Sequence, residues 1–243
     1  MARMTLRDHH PIKGEPDFTW RGGDPTRVEA LSDMVFAFAL TLLVVSADPP
    51  DSFGELTAQL WGFPGFAAAF AVLLVIWHAH YIFFRRYSLT DGWTTTLNAG
   101  LLFLILFFVY PLKYMATMLS RFLQSLAEGA PAPPLSFEEA RYALIIMALG
   151  YAAVFFVFAL LYARARGKAE MLGLNPKERA LSRFSFWEQV IQVSAGLAVA
   201  ISAALLPLHL APFAGFIFCL IGPCMFLISP LAAPPRVKPA AAE

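Results

Sequence analysis

The sequence predicts an all-α membrane protein of six transmembrane helices with both termini in the cytosol. Three observations carry this. Of 243 residues, 58% are hydrophobic and only 14% are charged, with a mean hydropathy of +0.62, whereas a soluble domain carries about 25% charged residues. Six apolar runs are each close to the roughly 20 residues that a spanning helix needs. Fifteen of the 18 Lys and Arg residues fall in segments that alternate helices would place on one side, which the positive-inside rule makes cytosolic.

Residues 1–26 are polar, with both signs of charge, and read as a flexible cytosolic tail. No cleavable leader is expected there, so the first spanning helix serves as the insertion signal. The adjacent His9 and His10 carry no metal site, because a neighbouring pair on a loose tail has nothing to fix its geometry. Asp24-Pro25-Thr26 supplies capping chemistry and a proline suited to a helix start.

The first run, residues 27–47, organises the rest. It places Arg27, Glu29, Ser32 and Asp33 in its first two turns. A charge at the bilayer centre costs roughly 2.5–3.5 kcal/mol on insertion scales, so this helix faces a bundle interior or a watery cavity rather than lipid. Met34, Phe38, Thr41 and Val45 follow at steps of four, three and four and share one face.

Residues 48–57 form a short acidic loop without Lys or Arg. The second run, about 60–84, ends in Arg85-Arg86 and contains Trp77, His78 and His80. The third, about 93–119, has Asn98 near its start and Pro111 and Lys113 toward its end, and a proline-rich loop follows over 120–138. The fourth covers about 140–162 and leads into a basic loop, 164–183. The fifth, about 186–206, and the sixth, about 213–231, are joined by a tight turn between Pro207 and Pro212. This divides the chain into a tail over 1–26, a membrane domain over 27–231 and a disordered cytosolic tail over 232–243. Cys219 and Cys224, on one apolar segment, read as small buried hydrophobes rather than a disulfide.

Several functions are excluded. A net charge of +1 gives no electrostatic case for nucleic acid. The phosphate-binding motifs G-x-x-x-x-G-K-[ST] and G-x-G-x-x-G are absent, as are H-E-x-x-H and G-x-S-x-G. His78 and His80 sit about 200° apart on a helix and cannot share a metal. No catalytic constellation remains, so an enzyme is not expected, nor a cofactor. There is also no TVGYG filter, so any ion selectivity must come from side chains. Counted from the cytosolic ends, Arg27, Ser32, Asp33, Asn98 and either His78 or His80 lie at comparable depth and can form one polar layer.

Arg27-x-x-x-Leu31-Ser32-Asp33 resembles the R-x-x-x-F-S-D signature of the transmembrane protein 175 family, the endolysosomal potassium channel and its shorter prokaryotic relatives. Trp77-His78-Ala79-His80, Asn98 and Tyr110-Pro111 are similar to that family as well. The resemblance covers the first three helices. It implies a homotetramer in a prokaryotic inner membrane, with the first helix of each subunit lining a central potassium-permeable pore and lipids and monovalent cations as its other partners. By position it places the constriction at Phe38, with Thr41, Leu42 and Val45 beyond it. Arg27, Ser32, Asp33, His78 and Asn98 would form the structural network that holds the pore helices.

Two residues depart from the family pattern. Leu31 replaces Phe, and Phe38 stands where the family has isoleucine or leucine; four phenyl rings could close a pore by dewetting. The alternative is a secondary transporter or proton-coupled carrier using Asp33 and His78, which a helix broken near the midplane would favour. Gly222-Pro223 is the candidate break, with Pro111 read as too near a helix end.

Overall fold

The structure is a computed structural model that describes residues 11–12, 15–44, 50–129 and 136–232. A short antiparallel pair, β1 (Pro11–Ile12) and β2 (Glu15–Thr19), precedes a wholly helical body. Its helices are α1 (Arg27–Val44), α2 (Phe53–Leu60), α3 (Phe63–Tyr87), α4 (Gly92–Glu128), α5 (Phe137–Gly167) and α6 (Pro176–Leu205). A 3-10 segment (Ala211–Leu220) then runs into α7 (Ile221–Ile228). Among the described residues, five stretches are long and apolar enough to span a membrane: α3, α4, α5, α6 and Ala211–Ile228. The 18 residues of α1 include Arg27, Glu29 and Asp33, too many charges to qualify by composition.

α1, α3 and α4 pack on one another, α4 leans on α5, and α5 pairs along its length with α6, which carries the 3-10 segment. One core of buried residues runs through α1, α3, α4 and α5 and includes Phe36, Leu73, Ile76, Phe83, Leu101, Ile105, Phe108 and Phe158. Small residues let the backbones close up, as is general between membrane helices. A Cβ on Gly196 of α6 would lie 2.9 Å from the Ala148 carbonyl oxygen of α5. A Cβ on Gly65 of α3 would lie 1.9 Å from the Ala116 carbonyl oxygen of α4. Gly62, at the start of α3, has no side chain with which to cap the helix, and α4 supplies the missing group. Ser120 Oγ accepts from Gly65 N at 2.9 Å and donates to the Gly62 carbonyl at 3.1 Å.

Several expectations are corrected. The acidic loop is helical from Phe53, capped by Ser52 Oγ accepting from Glu55 N at 3.2 Å. α4 runs to Glu128 through much of the presumed proline-rich loop, so Pro111 lies inside the helix rather than toward its end. A membrane helix tolerates this because its neighbours shield the freed carbonyl. The basic loop shrinks to a turn at 168–175, where Gly173 takes a left-handed φ of 60°. Asn175 and Glu178 there form a capping box that opens α6.

Residues 15–26 are not a flexible tail. Phe18 is wholly buried, against the edge of Tyr87 at 5.5 Å between ring centroids, with the Arg86 guanidinium 5.0 Å from its own centroid. The stretches 1–10 and 233–243 lie outside the described residues.

Candidate functional site

α1 has two faces of the same period. Thr26 caps its start: Thr26 Oγ1 accepts from Glu29 N at 3.2 Å, and the Glu29 carboxylate accepts from Thr26 N at 3.2 Å and Thr26 Oγ1 at 2.9 Å. Glu29, Ser32, Phe36, Ala39 and Leu43, at steps of three and four, turn inward and are buried. Arg27, Leu31, Met34, Phe38 and Thr41, at steps of four and three, turn outward. Leu31, Met34 and Phe38 are each more than half exposed, at 55%, 65% and 57%. The Thr41 hydroxyl donates to the Phe38 carbonyl at 2.7 Å, and Thr41 is exposed. Leu42 does not share that face; it is half-buried and packs against the core. Val45 lies outside the described residues.

The inward face is held by a chain of hydrogen bonds across three helices. Asn98 Nδ2 on α4 donates to Ser32 Oγ on α1 at 2.9 Å, and Ser32 Oγ donates to the Val28 carbonyl at 2.8 Å. The Asn98 amide is thereby oriented with its oxygen toward His80 on α3, whose Nε2 lies 2.8 Å away and acts as donor. Ser32, Asn98 and His80 are 0%, 2% and 2% exposed. The Phe84 and Phe36 rings enclose the imidazole, at 4.6 and 5.7 Å between centroids. His80, not His78, therefore joins the network, since only one of two residues about 200° apart can face α4. His78 is exposed and stacks on Tyr81.

Asp33 and Arg27 are both exposed and do not pair with each other. Asp33 instead accepts from Trp77 Nε1 at 2.9 Å, and the Trp77 ring stacks on Tyr81. Among the described residues no group of three or more His, Cys, Asp and Glu side chains is placed to hold a metal.

Both ends of α1 are fixed by residues that sequence reasoning used only as charge markers. At the far end Lys113 Nζ donates to the Leu42 carbonyl at 3.0 Å, a cation at a helix C-terminus, where the helix dipole favours it. Before the near end, the segment leading into α1 is strapped to α3 and α6. Arg21 N and Gly22 N donate to the Arg85 carbonyl at 3.1 and 3.2 Å. Arg21 clasps Glu178 through Nη1 at 3.0 Å and Nη2 at 2.7 Å, and its Nε donates to the Leu172 carbonyl at 2.8 Å. Glu178 is 1% exposed and also accepts from Thr19 N at 2.9 Å. The Asn175-x-x-Glu178 capping box is legible in the sequence and could have flagged that carboxylate; nothing local marks Arg21 as its partner.

A second clamp joins the α3–α4 turn to α5. Asp91 accepts from Thr94 Oγ1 at 2.8 Å, from Arg164 Nε at 3.0 Å and from Lys168 Nζ at 3.0 Å. Burial pushes its carboxyl up, but the hydrogen bonds from Arg164, Lys168 and Thr94 outweigh this and hold it well below the usual carboxylate range.

Residues 27–108, which contain α1, α3 and the Ser32, His80 and Asn98 network, match the model of the family described as the endosomal/lysosomal potassium channel TMEM175. A protein of Marivirga tractuosa named as a potassium channel is 34% identical over 220 residues, 87% of this chain and 89% of that one. The chain belongs to the TMEM175 family. It is thus a multi-pass membrane protein of an ion-channel family, not an enzyme. A potassium channel of Chamaesiphon minutus is 35% identical over 101 residues, 38% of this chain and half of that one. The fold agrees over nearly the whole chain. The crystal structure of a threonine-to-alanine variant of the potassium channel MtTMEM175, bound to a nanobody–maltose-binding-protein fusion, superposes with a TM-score of 0.81 at 34% identity. It covers 88% of this chain and 95% of that one.

Proposed function

We propose that the chain is one subunit of a homotetrameric, potassium-permeable channel in a prokaryotic inner membrane, and that it conducts passively along the outward face of α1. The observation that carries this is the two-faced first helix. One stripe is buried against α3 and α4, while the other exposes large apolar side chains that none of the described residues covers. Assembly around a central axis buries such a stripe in every copy at once. The names of the Marivirga and Chamaesiphon relatives and of the solved structure support the choice of ion.

In this reading α1 is the sixth span. At 18 residues it is about 27 Å long, close to the hydrocarbon thickness of a bilayer. Arg27 and Asp33 are accommodated because they face the assembly and not lipid, and Glu29 because it is buried and bonded to Thr26. Arg21, Arg85, Arg86, Arg164 and Lys168 gather at one end of the bundle, consistent with a cytosolic side that also holds both termini. Residues 27–231 form the membrane domain.

Phe38 forms the constriction and Thr41 lies one turn beyond it. Selectivity then arises from side chains that strip water from the ion, not from a ring of carbonyls. Ser32, Asn98 and His80 fix the rotation of α1 about its axis, so that Phe38 and not Phe36 meets the ion path. Arg27 sits at the cytosolic end of the same face, available to neighbouring copies, while Asp33, off that stripe, bonds Trp77 of α3. The carrier reading gains nothing here: His78 stacks on Tyr81 while Asp33 bonds Trp77, and the Gly222-Pro223 pair lies within α7, which packs on α6.

The test is cation flux into liposomes holding the purified protein. Flux that follows the membrane potential, does not saturate, is faster for K⁺ than for Na⁺, and rises on Phe38→Ala fits the proposal. Saturable flux that needs a second ion would contradict it.

A further inference from the structure

The segregation of cations along this chain singles out one cleft. On the side away from Arg85 and Arg86 the sequence places only Lys113, Arg121 and Arg141. Two of these three open into the same cavity, about 570 Å³, enclosed by the end of α1, by α2, by the start of α3 and by the second half of α4. A volume of that order lies in the range of sites that hold organic ligands.

Its walls are mostly apolar, with Leu43, Leu60, Phe63 and Phe66 among them, and among the described residues no Asp or Glu lines it. Lys113, Thr117 and Arg121 follow at four-residue steps up one face of α4, so their side chains form a short ladder along the cleft. Lys113 is pinned by its bond to the Leu42 carbonyl and keeps two further N–H donors. Arg121 is exposed and, among the described residues, has neither a hydrogen-bond nor an ion-pair partner. Two cations beside an apolar trough, with no carboxylate among its described lining residues, are complementary to one chemistry: an anionic head joined to a hydrocarbon tail. Long basic side chains at this depth reach toward the interface, where such heads reside.

We propose that this cleft binds an anionic phospholipid of the leaflet facing away from Arg85 and Arg86. The phosphate lies between Lys113 and Arg121, and the first part of an acyl chain lies over Leu60, Phe63 and Phe66. Because Lys113 also holds the end of α1, an occupied cleft braces the far end of the proposed pore helix. The site itself is independent of conduction and rests only on the chain spanning a membrane.

Trp61 lines the same cleft and reports on it. The full-length protein, purified in a zwitterionic detergent, is titrated with phosphatidylglycerol carrying brominated acyl chains, and tryptophan quenching is compared with that by brominated phosphatidylcholine. The expected result is stronger quenching by phosphatidylglycerol at low mole fraction, with the difference lost in Trp61→Phe. Arg121→Gln should weaken the phosphatidylglycerol response, and Lys113→Gln with Arg121→Gln should weaken it by about tenfold or more. Arg121→Gln alone touches no structural bond, so it tests the idea even if the double variant folds poorly. Equal quenching by the two lipids, or an unchanged response in Arg121→Gln, overturns the proposal. Displacement of the lipid by millimolar inorganic phosphate would also overturn it, by showing that the cleft takes a free anion.

Discussion

Replacing Asn98 by Ala should cost far more than its single side chain suggests, because it orphans two buried groups on two other helices. The amide bridges Ser32 and His80 at 2.9 and 2.8 Å, and all three residues are at most 2% exposed. Hydrogen bonds between membrane helices average only about 0.6 kcal/mol, with a maximum near 1.7. A buried donor left without an acceptor costs about 1–3 kcal/mol more. Ser32 keeps its bond to the Val28 carbonyl, so most of the penalty falls on His80 Nε2. The expected loss is about 2–4 kcal/mol. Thr96→Ala, which removes an exposed hydroxyl on the same helix, should cost under about 0.5 kcal/mol, the usual size for surface sites. Combining Asn98→Leu with His80→Phe removes both partners and should recover much of the stability lost in Asn98→Leu alone, since replacing a whole polar pair by apolar groups can be nearly neutral. Reversible unfolding in mixed micelles reads these variants together with His80→Phe alone. An Asn98→Ala variant within 0.5 kcal/mol of wild type, or a double variant whose loss equals the sum of its singles, would refute the claim that this amide holds α1 in place.

Three further predictions concern the frame around α1. Gly65→Ala forces a methyl group to within 1.9 Å of the Ala116 carbonyl oxygen; α3 must move off α4, at a cost of about 1–3 kcal/mol or more, measurable as a lowered melting temperature. Glu178→Gln leaves Arg21 without its counter-charge and weakens the strap that leads into α1. Breaking a buried ion pair costs about 3–5 kcal/mol, and Arg21, 16% exposed, puts this one toward the lower end; limited proteolysis should then cut the segment around residues 15–26 faster. The Asp91 clamp is sensitive to acid. Its carboxyl is depressed in the folded protein, so its contribution is complete above about pH 4, the ordinary carboxylate range, and is lost as pH falls toward the folded value. Asp91→Asn should flatten that part of the stability profile between pH 5 and pH 3, as read by thermal melts, relative to wild type.

Much of this architecture was legible in the sequence because it depends on composition over long windows. The apolar runs, the charged start of α1 and the Arg85-Arg86 boundary are long-window signals of that kind. The outward stripe was legible too, since Met34, Phe38 and Thr41 follow from helical period alone. What failed depends on neighbours. The family resemblance puts Leu42 beside Phe38 by position, yet one residue's rotation from Thr41 turns it toward the core. The choice between His78 and His80 needed α4 in place, because period separates the two rings without saying which one meets Asn98. Pro111 is an end signal in a soluble helix, whereas surrounding helices let α4 continue past it. The segment 15–26 has no periodicity to betray it. It is ordered by partners more than 60 residues away in sequence, Arg85 above all, and by the Arg21–Glu178 pair.

The central claim is that the outward stripe of α1, and not the buried one, borders the path of the ions. Cysteine accessibility in the reconstituted protein tests it most directly. The native Cys219 and Cys224 are first replaced by Ala, because Cys219 is an exposed free thiol. Single Cys residues are then introduced by Met34→Cys, Phe38→Cys and Thr41→Cys on one face, and by Phe36→Cys, Ala39→Cys and Leu43→Cys on the other. K⁺ flux is followed while a charged, water-soluble thiol reagent is added. The account predicts that modification changes K⁺ flux for the first three and leaves it unchanged for the second three. Block from the buried face, or no effect at Phe38 and Thr41, would contradict it.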